Sequence, residues 1–334
     1  MSLYKIYISS HVIWITCTIS ILYGLLRLIQ YIIVVSFTKK TFNRLNNKFT
    51  EENDPKIYNK LKIYKQSVPI YNFSHKKKKR VLLLIGGYRD IPFMWNNYCN
   101  YLKERGIDYY APRTTGHGRR FFQKSIKWQD WMLTYFESII FLSQIYKRID
   151  IIGFSTGANI AVYLMGIDWS NIDNYSVDTE IKNLILISPN FEVNKKHAGY
   201  KKLLKSKFAY NFLNFICPVG DKPSYKKNVE IDLRYTKDLD SIYYERSIFL
   251  ESLYELWRFS DILPDKINID NITIYHGDSD NVVGDFSIQR KKLGLIFQKK
   301  IKSYKLTNCG HNLINEHPKS RKILFNSIHN VLNL

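Results

Sequence analysis

The sequence predicts an α/β chain: a mainly parallel central sheet with helices on both faces, a cap inserted within it, and an apolar helix at the amino terminus. Three observations carry this expectation. Short all-apolar runs, of which residues 81–85 are the clearest, read as strands of a parallel sheet buried on both faces. Segments with helical spacing alternate with these runs along the chain. Residues 6–26 carry no Lys, Arg, Asp or Glu.

At 334 residues the chain has room for one large domain and an extra segment. A hydrophobic fraction of 45% and an aromatic fraction of 15% exclude a disordered chain. The net charge of +21 admits a polyanionic partner, but Lys, Asn, Ile and Tyr are all abundant and only five Ala occur, so a bias across the whole composition explains it better. The charge comes without an RNA-binding signature, zinc-finger spacing or a basic region followed by heptads, and nucleic acid is not the expected partner. Cys17, Cys99, Cys217 and Cys309 are too scattered for a disulfide framework or a metal set, and suit a reducing compartment.

Taken in order, residues 1–40 are expected to form a membrane anchor. At helical rise, residues 6–26 span roughly 31 Å, about the hydrocarbon thickness of a bilayer. The run is too long for the core of a signal peptide, and no small-x-small cleavage site follows it. Lys5 precedes it, whereas Arg27, Lys39, Lys40, Arg44 and Lys48 follow, which puts the carboxyl-terminal side in the cytoplasm, on a single-pass or monotopic anchor. Residues 41–75, polar and broken at Asp54-Pro55, read as a linker with room for one edge strand. The domain proper is 76–334. Within it, strands are expected at 81–85, 107–111, 149–154, 184–188 and 272–276, and helices at 128–146, from 158, and at 318–334. Residues 191–270 interrupt that rhythm and read as the cap. In it Leu203, Leu204, Phe208, Phe212, Leu213 and Ile216 recur at helical spacing beside Lys201, Lys202, Lys205 and Lys207, the pattern of one basic amphipathic helix packed on its domain or resting on an anionic membrane.

Chemistry concentrates at Gly153-Phe154-Ser155-Thr156-Gly157, between an expected strand and helix. A serine flanked by glycines two residues away forms a strand-to-helix elbow too tight for side chains at Gly153 and Gly157. The elbow exposes the Ser155 hydroxyl, and the helix start places N–H groups beside it. A hydroxyl needs a base to become a nucleophile. His311, in Asn308-Cys309-Gly310-His311-Asn312, is the candidate base, with His317 as its rival. Asp280, past the His276-Gly277 turn, is the candidate acid, ahead of Asp278 and Glu192. His276 reads as structural and Cys309 as a small packing residue. Two oxyanion donors are expected, the backbone N–H groups of Thr156 and of Tyr88 in the loop 86–90.

With these residues in hand, the chain resembles the α/β hydrolases, in the branch of monoacylglycerol lipases and bacterial carboxylesterase-like enzymes. Ile85-Gly86-Gly87-Tyr88, Ala111-Pro112 with Gly116-His117-Gly118, Trp128-Gln129-Asp130-Trp131, the elbow, His276-Gly277-x-x-Asp280-x-Val282-Val283 and Gly310-His311 occur in that branch's order. The resemblance runs from about residue 81 to the end, without most of the cap. It implies an acyl-enzyme mechanism on acylglycerols or simple esters, a small-molecule or lipid ester substrate, and no cofactor. The chain departs from the branch at Gly86, where His is usual, and at Thr156, where Met or Gln is common. An acyltransferase or thioesterase with the same three residues, and a non-catalytic binding protein at the membrane, are the competing expectations.

Overall fold

The computed structural model describes residues 67–73, 79–118, 126–169, 179–216, 219–221, 247–267, 269–298 and 300–334. The expected anchor, most of the linker and part of the cap lie outside them. Among the described residues, no helix is long and apolar enough to cross a membrane.

Seven strands form one sheet in the order β1-β3-β2-β4-β5-β8-β9. They are β1 (Ile70–Asn72), β2 (Arg80–Ile85), β3 (Tyr109–Ala111), β4 (Arg148–Phe154), β5 (Glu180–Ile187), β8 (Asn271–Gly277) and β9 (Ile301–Leu306). All neighbours pair in parallel except the edge strand β1, which runs antiparallel to β3 and lies in the segment read as a linker.

The apolar runs are central strands because both of their faces are covered. Val81, Leu83 and Ile85 of β2 point to the layer holding helices α2 (Trp128–Ser143), α3 (Thr156–Leu164) and α7 (Phe286–Ile296). Leu82 and Leu84 point the other way, onto α1 (Asn96–Lys103) and α8 (Pro318–Leu332). All five are fully buried, each worth about 1.5–3 kcal/mol in transfer, so no position of the strand tolerates a polar side chain.

At the amino-terminal end of the strands a polar cluster ties three of them together. The fully buried Asp150 of β4 accepts from Arg80 of β2, from Arg148 at 3.1 Å, and from the Asn183 side chain of β5 at 2.6 Å. It lies opposite Leu82 in the register of β2 and β4.

The cap contributes α4 (Lys195–Lys205), α5 (Lys207–Ile216), a short antiparallel pair of β6 (Val219–Asp221) and β7 (Ser247–Phe249), and α6 (Leu250–Phe259). The single amphipathic helix expected here is two. Ser206 is extended (φ −67°, ψ 114°), ending α4, and its hydroxyl accepts the Ala209 N–H at 3.3 Å, starting α5. Lys201, expected on the solvated basic face, is instead buried and paired with Asp261 at 2.6 Å. Tyr200, Leu203, Phe208 and Phe212 are exposed. Helices α1 and α7 and strand β9 escape the sequence reading. The first is short, the second carries a glycine at 294, and β9 (Ile-Lys-Ser-Tyr-Lys-Leu) is an edge strand whose half-exposed residues lack an apolar run.

Candidate active site

The carboxyl ends of the parallel strands converge on one edge of the sheet, where ligands of open α/β sheets bind. The register explains the convergence. Ile85 lies opposite Gly153, Phe154 opposite Ile187, Ile187 opposite Tyr275, and Gly277 opposite Leu306. The loops leaving β2, β4, β5, β8 and β9 therefore start side by side.

After β4 the chain turns sharply into α3. Ser155 has φ 52° and ψ −121°, a conformation costing a side-chain-bearing residue about 1–3 kcal/mol and held here by its surroundings. Its N–H donates to the Ile187 carbonyl at 2.9 Å, and its carbonyl accepts from Ala158. The flanking glycines are forced by contact. A Cβ on Gly153 would lie 2.5 Å from the Gly157 carbonyl oxygen, and one on Gly157 would lie 2.4 Å from the carbonyls of Ile85 and Gly86. Thr156 is the first residue of α3, so its N–H has no intrahelical acceptor.

His311 stands in the loop between β9 and α8. Its Nε2 lies 2.9 Å from Ser155 Oγ and its Nδ1 lies 2.8 Å from Asp280 Oδ2. Serine, imidazole and carboxylate, 156 and 31 residues apart along the chain, form one hydrogen-bonded row. The Asp280 carboxylate is fully buried, and its Oδ1 accepts the N–H groups of Val282 at 2.9 Å and Val283 at 3.1 Å. Burial pushes this carboxyl up, but the His311 ring and the two backbone donors outweigh it and hold it below the ordinary carboxylate value. A base whose second nitrogen is oriented by an ionised acid can take a proton from the serine and return it to a leaving group.

Tyr88 sits in the loop after β2, one residue beyond a glycine that packs on the Ser155 side chain. Its ring packs against Trp131 and His117, and its hydroxyl donates to Ser252 of α6 at 2.8 Å. His117, of the Gly116-His117-Gly118 motif, is buried, and burial lowers it to about 4, so it is neutral near pH 7.

The rival residues lie elsewhere. Asp278 accepts from the neighbouring Ser279 hydroxyl, and Glu192 pairs with Lys292 at 2.6 Å. His317 caps α8 by accepting the Lys319 N–H. His276 is buried and stacked on Phe286, and Cys309 is buried, its thiol donating to the Thr307 carbonyl. Two supports had no signal in the sequence. Ser188, at φ 45° just after β5, donates its hydroxyl to the His311 carbonyl at 2.9 Å, and Glu316 accepts the Gly310 N–H at 2.6 Å. Both pin the histidine loop from residues without a recognisable motif, and only a non-glycine residue in the left-handed region marks Ser188.

Residues 76–318 match the family model described as serine aminopeptidase, S33. The chain belongs to that family. Its fold is that of the α/β hydrolases. No curated protein sequence matches this S33 member. Solved structures do. One, described with the metagenome-derived lipolytic enzymes LipS and LipT, has a TM-score of 0.62 at 13% identity, covering 81% of this chain and 99% of its own. A soluble variant of monoglyceride lipase from Saccharomyces cerevisiae has a TM-score of 0.58 at 13% identity, covering 80% and 95%. The Paleococcus ferrophilus monoacylglycerol lipase has a TM-score of 0.54 at 15% identity, covering 75% and 93%. At such identities the likeness is one of fold.

Proposed function

We propose that this chain is a membrane-anchored serine hydrolase that cleaves carboxylic esters, with lipid-derived acyl esters as the substrate class. The observation that carries the reading is the row Ser155–His311–Asp280, with contacts of 2.9 and 2.8 Å. Ser155 Oγ attacks the ester carbonyl while His311 Nε2 takes its proton. The tetrahedral oxyanion is held by the N–H groups of Thr156 and Tyr88. His311 returns the proton to the departing alcohol, and Asp280 stabilises the imidazolium meanwhile without itself taking a proton. Water then repeats the attack on the acyl-serine and frees the acid.

Among the described carboxylates, Asp280 is paired with His311, Glu192 with Lys292, and Glu255 with Arg258 and the Trp128 N–H. Beneath the loop after β2 the rings of Tyr88, His117 and Trp131 pack on one another, an apolar support for that loop. A tethered enzyme meets substrates that partition into bilayers, which joins the amino-terminal span to a lipid ester.

The test is a panel of monoacylglycerols, lysolipids, short acyl esters, acyl-CoA with acceptor alcohols, and aminoacyl anilides, given to the purified full-length protein and to Ser155→Ala. Ester turnover is expected to fall about 10⁶-fold in the variant, the scale seen when a serine nucleophile is removed. Turnover of anilides alone, or acyl transfer to alcohols without free acid, would replace the ester hydrolase with a peptidase or an acyltransferase.

A further inference from the structure

Asp90 closes the loop after β2 on itself. Its Oδ2 accepts the Gly87 N–H at 2.7 Å, and its own N–H donates to the Gly87 carbonyl at 3.1 Å. In a trans peptide the carbonyl and the following N–H point in opposite directions. Holding the Gly87 carbonyl on one side therefore turns the Tyr88 N–H toward the other. The glycine is wedged in place: a Cβ there would lie 2.7 Å from Asp90 Oδ2 and 3.0 Å from Ser155 Cβ. One glycine separates the carboxyl from the serine. Arg89, between Gly87 and Asp90 in sequence, adopts φ 69°, a left-handed conformation that residues with a Cβ resist and that the two bonds between Gly87 and Asp90 enclose.

We propose that Asp90 is a positioning residue for the oxyanion site: through Gly87 it aims the Tyr88 N–H at the oxygen that gains charge when Ser155 attacks. This deepens, and rests on, the serine-hydrolase reading above.

The chemistry of the group argues for a role beyond stability. Burial pushes the Asp90 carboxyl up to about 6, although the Gly87 N–H, His311 and Arg89 all favour its charge. From α2 the buried phenol of Tyr135, bonded to the Thr114 hydroxyl at 2.6 Å, faces the same region and is neutral. A carboxylate here is therefore poorly solvated and close to a site where negative charge develops. The ionised carboxylate holds the Gly87 N–H through a charge-assisted bond, shorter and stronger than a neutral one, and so preorganises the donor beyond it.

The experiment uses the full-length protein with Asp90→Ala and Asp90→Asn. It measures kcat and KM on a p-nitrophenyl ester from pH 5 to 8, affinity for an alkyl boronic acid, and melting temperature. For Asp90→Ala, kcat is expected to fall about 100-fold with KM nearly constant, and boronate affinity to fall in parallel, the scale of losing one oxyanion donor. Asp90→Asn keeps an acceptor and is expected to recover kcat to within about tenfold of the parent. As pH drops below about 6 the parent's own Asp90 becomes neutral, so the ratio of parent to Asp90→Asn kcat should fall toward one. The Asn variant should also melt higher, because a neutral side chain escapes the burial penalty. Parental kcat and boronate affinity in Asp90→Ala would overturn the proposal. So would a kcat ratio for Asp90→Asn that stays constant with pH, which decides the matter even if the alanine variant does not fold. If the parent fails to hydrolyse the ester and Ser155 takes up no fluorophosphonate, the hydrolase reading itself falls and this proposal with it.

Discussion

Asp280 carries two consequences at the scale of single residues. Its carboxylate is held below the ordinary value of 3.8, with burial opposing and His311, Val282 and Val283 prevailing. A group lowered in this way stabilises the fold above its unfolded value and withdraws that contribution as pH falls through the folded one. The Asp280 contribution is thus intact at neutral pH and is lost only below 3.8, which thermal melts between pH 2 and 6 of the parent and Asp280→Asn will read as converging curves. In turnover, Asp280→Asn is expected to lower kcat by about four orders of magnitude, because an amide orients the wrong imidazole tautomer. An unchanged kcat would remove Asp280 from the mechanism. Ser155, its glycines and His311 stand in motifs whose residue types the chemistry dictates, so they were legible in the sequence. Ser188, Asp90 and Glu316 were not. Their work is done through ordinary hydrogen bonds whose partners come from distant loops, and a serine or an acid in a loop has no spacing that reveals it.

Between elements, the structure joins the cap to the loop beside Ser155. The Tyr88 hydroxyl meets the buried Ser252 of α6 at 2.8 Å, and Tyr88 is also the residue whose N–H is proposed to hold the oxyanion. Cap position and oxyanion loop are thereby linked through one side chain. A double-mutant cycle of Tyr88→Phe and Ser252→Ala should return a coupling of about 1 kcal/mol in unfolding free energy, the net worth of such a bond. Additive losses would show the two hydroxyls to be independent. The central strands and α2, α3 and α8 were readable because burial on two faces or one stripe leaves a pattern in the residues themselves. The edge strand β9 and the break at Ser206 were not. An edge strand is half solvated, and a single extended residue between two amphipathic helices leaves their combined periodicity nearly intact.

For the molecule as a whole, stability and chemistry occupy opposite ends of the sheet. Asp150 binds Arg80, Arg148 and Asn183 where the strands begin, while Ser155 stands where β4 ends. Asp150→Ala removes the shared acceptor of two partly buried arginines and of the Asn183 side chain, and should destabilise the chain by about 1–3 kcal/mol. Protein that remains folded is expected to keep its KM. A variant that melts like the parent would show the cluster to be incidental. The proposed anchor makes a separate claim. Full-length protein expressed in cells should stay in the membrane pellet after alkaline carbonate washing, and removal of residues 1–40 should release it with esterase activity retained. Extraction of the full-length protein by carbonate would refute an integral anchor.

By itself the sequence determined the alternation of buried strands and helices, the elbow around Ser155, and which histidine and acid to expect, because each depends on local spacing or on chemistry that only certain side chains perform. Tertiary structure alone decided that His311 and Asp280 lie within hydrogen-bonding distance of each other and of Ser155, which loops pin them, and where the cap touches the site. Those contacts join residues far apart along the chain, and they arise from sheet register and loop closure, which no local pattern of residues records.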